Sequence, residues 1–99
     1  MSQNIGQRTI LAFDFGTTRI GVAVGQEMLG SSTALTPIPA RDGIPNKEEL
    51  KRLIDDWQPD AFVVGIPLNM DGTESEMSRR ARKFGNRLHG QYGKPFFGM

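Results

Sequence analysis

Residues 10–25 read ILAFDFGTTRIGVAVG, and the fold turns on this stretch. The run Ile10-Leu11-Ala12-Phe13 is apolar at consecutive positions, the pattern of a strand covered on both faces, as in the middle of an α/β sheet. It leads into a carboxylate, Asp14, then Phe15, a Gly16-Thr17-Thr18 turn and a second β-rich run, Ile20-Gly21-Val22-Ala23-Val24. Two such runs joined by a tight glycine-containing turn predict a hairpin. An ionised carboxylate beside a covered core costs on the order of several kcal/mol unless it is paired or holds a cation. Flanked by Phe13 and Phe15, Asp14 is expected to be buried and to have a reason for being there. One reason is an Asx-turn, in which Asp14 accepts from the backbone of Gly16 or Thr17. The other is a metal-binding or catalytic aspartate at the end of a central strand. The stretch leaves both open.

Outward from this hairpin, the order of elements is expected to be β-β-β-α-β-α-β. Met1 to Arg8 is expected to be a frayed lead-in, with strands over Thr9 to Phe15 and Arg19 to Gly25. A turn near Gln26 to Gly30 precedes a weaker strand from Ser32 to Ile38, which Pro37 and Pro39 should end at a sheet edge. Arg41-Asp42-Gly43 reads as a loop. Asn46 and Glu49 form a capping-box-like pair, and Leu50, Leu53, Ile54 and Trp57 make one apolar stripe that Pro59 stops. Trp57 at that spacing is expected in the core. Ala61 to Ile66 reads as a buried strand and Pro67 to Gly72 as a loop. Thr73 with Glu76 should start a second helix that Gly90 stops, before a last strand opening at Lys94. A hairpin meander followed by alternating helices and strands implies a mixed sheet with helices packed on it.

Composition narrows the chemistry. Ninety-nine residues make one domain at most. The absence of cysteine removes disulfides, thiolate zinc sites and thiol catalysis, and a single histidine, His89, removes a multi-histidine metal cage. A bound metal would be held mainly by oxygen, which favours magnesium or manganese. No apolar run is long enough to span a bilayer, Met1 to Gln7 lacks a secretion-signal segment, and the cytoplasm is the default location. Net charge is only +1, yet residues 73–99 carry +4 and the remainder −3, which points to a local surface facing a polyanion.

Two constellations follow. If the first strand and the Ala61–Ile66 strand are neighbours, Asp14, the Thr17-Thr18-Arg19 turn and the loop bearing Asn69 converge at one end of the sheet, a mouth for a phosphate-bearing ligand. The plainer reading of Asp71-Gly72 is a turn before a capped helix. In the second helix Arg79, Arg80, Arg82, Lys83 and Arg87 fall within nine residues with no acid among them. The plain reading is a solvated helix face; the other, since arginine is the better phosphate binder, is contact with a nucleic-acid backbone or another polyanion, salt-sensitive and without base readout. Arg79, Lys83, Asn86 and Arg87 should project away from the apolar arc of Met77, Ala81, Phe84 and Leu88, with Arg80 and Arg82 flanking.

Three segments together, Phe13-Asp14-Phe15-Gly16-Thr17-Thr18-Arg19-Ile20-Gly21-Val22-Ala23, Val64-Gly65-Ile66-Pro67-Leu68-Asn69-Met70-Asp71-Gly72-Thr73 and Arg80-Ala81-Arg82-Lys83-Phe84, resemble the YqgF family of Holliday-junction-resolvase-like proteins. The resemblance runs from Thr9 to Met99. It implies an α/β, ribonuclease-H-like domain over residues 9–99 and a cytoplasmic nuclease acting on structured nucleic acid, branched DNA or the 5′ end of pre-16S rRNA in ribosome biogenesis. Mg²⁺ or Mn²⁺ would be held by acidic side chains. Asp14 matches the catalytic, metal-binding aspartate of the first strand, and the implied chemistry is in-line attack by a metal-activated water. The family pattern continues past the last strand into an Asp-Glu-Arg motif, so the resemblance covers about its first two-thirds and one of its carboxylates. A sheet face left under-covered in this way is expected to favour self-association into a homodimer. Two other readings remain: a non-catalytic RNA-binding or ribosome-assembly module, supported by the basic helix, and a fragment of an actin- or Hsp70-like ATPase, whose phosphate-binding hairpin D-F-G-T-T also resembles.

Overall fold

The computed structural model describes residues 8–26 and 31–99. The expected lead-in, apart from Arg8, and the expected turn after Gln26 lie outside the described residues.

The opening stretch folds as two antiparallel strands, β1 (Thr9–Asp14) and β2 (Arg19–Gln26). Strand β3 (Ser31–Arg41) pairs antiparallel with β2 and is longer than expected, running through both prolines. The register slips between Ile20 and Val22, and such a bulge is where a strand tolerates a missing N–H. Pro39 still contributes its carbonyl, which accepts from Asn46 N at 2.9 Å. The expected loop at Arg41-Asp42-Gly43 is instead the turn of a tight hairpin to a two-residue strand, β4 (Ile44–Pro45), with Arg41 opposite Ile44. Asp42 and Gly43 both have positive φ, 51° and 81°, the turn that an Asp-Gly pair favours.

Helix α1 (Lys47–Trp57) starts as expected, with Asn46 Oδ1 accepting from Glu49 N at 3.0 Å. Leu50 and Ile54 are buried, but Trp57 is 43% exposed and not core. As the last residue of the helix it keeps solvent on one side. Strand β5 (Ala61–Gly65) runs parallel to β1, tied at its start by Thr9 N donating to Asp60 Oδ2 and Asp60 N to Thr9 O, both at 2.8 Å.

Helix α2 (Glu76–Tyr92) is capped by Ser75, not by Thr73 with Glu76. Ser75 Oγ accepts from Ser78 N at 3.2 Å and Ser78 Oγ accepts from Ser75 N at 2.9 Å, a reciprocal box built from two serines. Thr73 is unavailable, because its N and Oγ1 both donate to Asp71 Oδ1. The helix passes through Gly90 and ends at Gly93 (φ 71°). Strand β6 (Phe96–Gly98) then adds parallel to β5.

The result is one mixed six-stranded sheet in the order β4-β3-β2-β1-β5-β6. Alternation along the central strands splits the residues between two unlike faces. Leu11, Phe13, Ile20, Val22, Val24, Phe62 and Val64 are buried in one cluster with Leu50 and Ile54 of α1 and Ala81, Phe84 and Leu88 of α2. Both helices therefore cover the same face. Phe84 anchors α2, meeting Phe13 edge-on at 5.4 Å and Phe15 at 5.8 Å between ring centroids. The other face carries Ile10, Ala12 and Asp14 on β1, Gly21 and Ala23 on β2, and Val63 and Gly65 on β5. These are half-buried except for exposed Asp14, and none belongs to the core cluster.

Candidate active site

Asp14 ends β1, the strand with a partner on each side. The alternation that buries Phe13 turns Asp14 to the opposite, helix-free face, so the expectation of a carboxylate buried among aromatic rings is corrected. Asp14 is exposed, and no hydrogen bond to its carboxylate from the described residues is present, which also removes the Asx-turn. What surrounds it is an absence of side chains. Its register partners are Gly21 on β2 and Gly65 on β5. A Cβ at Gly21 would lie 3.3 Å from Asp14 Cβ, and directly opposite positions on paired strands point to the same face. The carboxylate thus stands in an exposed trough between two glycines. Sequence reasoning missed both glycines. The signal for them was available in the run of small residues at alternate positions, Gly21 and Ala23, beside Ile20, Val22 and Val24.

The turn after Asp14 is held rigidly. A side chain at Gly16 would overlap the Arg19 carbonyl oxygen, so the chain can double back this tightly only with glycine there. Thr17 O accepts from Gly43 N and Thr18 O from Ala40 N, both at 2.9 Å, which straps the turn to the β3–β4 hairpin. Thr18 and Arg19 are exposed and Thr17 half-buried in the turn that follows Asp14.

The loop after β5 is committed to itself. Asn69 Nδ2 donates to Thr73 Oγ1 at 3.0 Å, and Asn69 N donates to Thr73 O at 2.9 Å. The hydrogen bond from the Thr73 hydroxyl, then that from its backbone N–H, holds the Asp71 carboxyl below its ordinary value of 3.8. The plain-turn reading of Asp71-Gly72 is therefore the one supported, and Asn69 presents to solvent from a braced loop. Beneath it Ser78 Oγ donates to Pro67 O, joining loop and helix cap.

The five bases of α2 divide into separate roles. Arg82 is paired with Glu74 at 2.6 and 2.7 Å. Arg80 does not project outward: its Nη2 donates to Asp42 O at 2.6 Å and Oδ1 at 3.1 Å, and its guanidinium lies 6.0 Å from the Phe15 ring centroid. It pins the β3–β4 hairpin to α2. Arg79, Lys83 and Arg87 are exposed, and among the described residues none has a side-chain ion pair. Arg80, Lys83 and Arg87 share one helix stripe, and with Lys47 they line a cleft between α1, α2 and the β3–β4 hairpin. That cleft is on the helix-covered side of the sheet, opposite Asp14.

Among the described residues no three His, Cys, Asp or Glu side chains converge. The donor present suits Mg²⁺ in kind, a carboxylate oxygen, but not in number, since that ion demands about six oxygens. The remaining ligands would come from water, phosphate or other acids.

A six-stranded mixed sheet with three antiparallel and two parallel pairings, covered by helices and carrying an acid at the carboxyl end of a central strand, defines a ribonuclease-H-like domain. The RuvC protein of Thermus thermophilus, an RNase H-like fold, superposes with a TM-score of 0.56 at 16% identity, over 92% of this chain and 63% of that one. YeaZ from Pseudomonas aeruginosa superposes with a TM-score of 0.51 at 21% identity, over 93% and 43%. Residues 8–99 match the profile of the RuvX family, described as Holliday junction resolvase, and the chain belongs to that family. It is 74% identical over 90 residues to a protein of Chromohalobacter salexigens and 61% identical over 90 residues to one of Shewanella oneidensis, both named "Putative pre-16S rRNA nuclease". The chain spans 61% and 64% of the length of these two relatives. Among the described residues no helix is long and apolar enough to cross a membrane.

Proposed function

We propose that this chain is the catalytic-aspartate part of a RuvX-type nuclease that cuts phosphodiester bonds in structured nucleic acid, pre-16S rRNA or branched DNA. The carrying observation is the placement of Asp14, an exposed carboxylate without a partner among the described residues, at the carboxyl end of a central strand with glycine on both sides. A divalent cation, Mg²⁺ or Mn²⁺, would supply Lewis-acid stabilisation of the reacting phosphate when bound there. The chain's own contributions are steric and electrostatic. Gly21 and Gly65 leave room for a phosphate beside Asp14, the Thr17-Thr18-Arg19 turn offers hydroxyls and one cation next to it, and Arg79, Lys83 and Arg87 hold backbone phosphates.

The test joins this chain to the segment of the Chromohalobacter relative that lies beyond the matched region, and assays a 5′-extended 16S rRNA precursor and a four-way DNA junction. Cleavage is expected with Mg²⁺ or Mn²⁺ and to be abolished by Asp14→Asn with binding retained. Undiminished cutting by that variant would remove Asp14 from the mechanism. A second reading, a non-catalytic RNA-binding module, draws on the lack of a metal-holding cluster of acids among the described residues; it predicts binding of the rRNA precursor unaffected by Asp14→Asn and no cleavage in any metal.

A further inference from the structure

The cleft between α1, α2 and the β3–β4 hairpin has a volume of about 420 Å³, within the range of about 300–1,000 Å³ usual for small-ligand sites. Its charge is one-sided. Lys47, Lys83 and Arg87 line it without an ion pair among the described residues, and its single acid, Asp42, is taken by Arg80. Its apolar lining sets three aromatic residues, Phe15, Phe84 and Tyr92, among aliphatic ones such as Ile44, Leu50 and Leu88. Phe15 and Phe84 are nearly buried, at 8% and 6% exposure, whereas Tyr92 is half-buried and rests against Phe62 at 6.2 Å between centroids. Burial, and then the nearby Asp55 charge, raise its phenol, and its half-buried ring offers a stacking face.

Neither feature alone specifies a ligand. A solvated basic stripe would not need aromatic rings beside it, and an apolar notch would not need three exposed cations at its rim. Together they match one chemistry, a flat π-system joined to a phosphate, because bases stack on aromatic rings and phosphates take up ammonium and guanidinium donors. We infer that this cleft binds one nucleoside phosphate unit, with the base towards Tyr92 and the phosphate towards Lys83 and Arg87. The site is separate from Asp14, since Asp14 and Phe15, consecutive residues, go to opposite sides of the sheet. The inference rests on the reading of α2 as a polyanion-binding helix and needs nothing from the cleavage chemistry. Two sources carry this ligand, a free nucleotide and an unpaired nucleotide of a strand.

The experiment is titration of the 99-residue chain with the four nucleoside 5′-monophosphates, the corresponding nucleosides and inorganic phosphate, read by amide chemical shifts and calorimetry. Nucleoside monophosphates are expected to shift the amides of Gly43, Ile44, Lys83 and Arg87. Nucleosides and phosphate alone should each bind about tenfold more weakly, the loss that one removed contact set produces. Lys83→Gln and Tyr92→Leu should each weaken nucleotide binding about tenfold, while Lys51→Gln, an equal charge removed outside the cleft, should not. Unchanged thermal midpoints for Lys83→Gln exclude misfolding as the cause. Displacement of the nucleotide by a four-residue single-stranded oligonucleotide, and not by a blunt duplex, assigns the site to a strand. No displacement by either assigns it to a free nucleotide. Equal affinity for inorganic phosphate and nucleotide, or shifts confined to the amides around Asp14, overturns the inference, and neither result would bear on cleavage at Asp14.

Discussion

At the scale of single residues, the informative ones are those with the smallest side chains. Gly21 and Gly65 face Asp14 from the neighbouring strands, and their value is space. Valine at either position suits a strand better than glycine, so Gly65→Val should keep or raise the thermal midpoint. It should nonetheless lower cleavage by about 10²-fold, the scale of loss when a reacting group is displaced by an ångström. A variant both stable and fully active would show that the trough is not used. Gly16 is different, because its substitution meets backbone. Gly16→Ala pushes a methyl group into the Arg19 carbonyl and should cost about 1–3 kcal/mol, read from the urea midpoint. At Asp14 the sequence was legible in type and misleading in setting. An acid between two phenylalanines looked buried, and a two-residue period separated it from both.

At the scale of elements, α2 is held at its start by serines and along its length by aromatic contacts. Ser75→Ala removes an ordinary cap and should cost about 1 kcal/mol. Ser78→Ala removes a fully buried hydroxyl that donates to the Pro67 carbonyl and accepts from Ser75 N, and losing both hydrogen bonds should cost the larger amount. Urea denaturation of the two variants checks the order. The Asn69–Thr73 loop has a pH signature of known sign. The Asp71 carboxyl is lowered in the folded chain by Thr73, so the loop's contribution is present above the ordinary carboxylate range and disappears as pH falls through the lowered value. Exchange protection of the Thr73 amide should follow that course, and Asp71→Asn should flatten it. The Asp-Gly hairpin and the serine box were both written in the sequence as local turn and cap chemistry. They went unread because Pro39 and Thr73 offered competing signals close by.

At the scale of the whole molecule, both helices lie on one face, and the face bearing Asp14 carries half-buried Ile10, Ala12, Ala23 and Val63, with Phe97 49% exposed on β6. The apolar face is the one expected to promote a homodimer. Association through its centre would also close the trough over Asp14, so a dimer active on nucleic acid must leave the carboxyl end of β1 clear. Sedimentation at several concentrations, with Phe97→Ser as the comparison, measures whether that face pairs. Electrostatics at this scale separates the bases of α2. Lys83→Gln should weaken polynucleotide binding at low salt and reduce its salt slope, whereas Arg82→Gln, already matched by Glu74, should change it little.

The chain's own order of residues determined most of the strands and both helices, because apolar period, caps and turn dipeptides act over a few neighbours. The basic character of the second helix was legible at that level too. Only the folded sheet decided what those groups face. Strand pairing brought Gly21 and Gly65, distant in sequence, to either side of Asp14, and alternation set it on the side away from the helices. Packing α2 over Phe13 and Phe15 turned three of its bases into a cleft and bound a fourth to Glu74. Such contacts join residues many positions apart, and which residues meet depends on register and crossing, not on local preference.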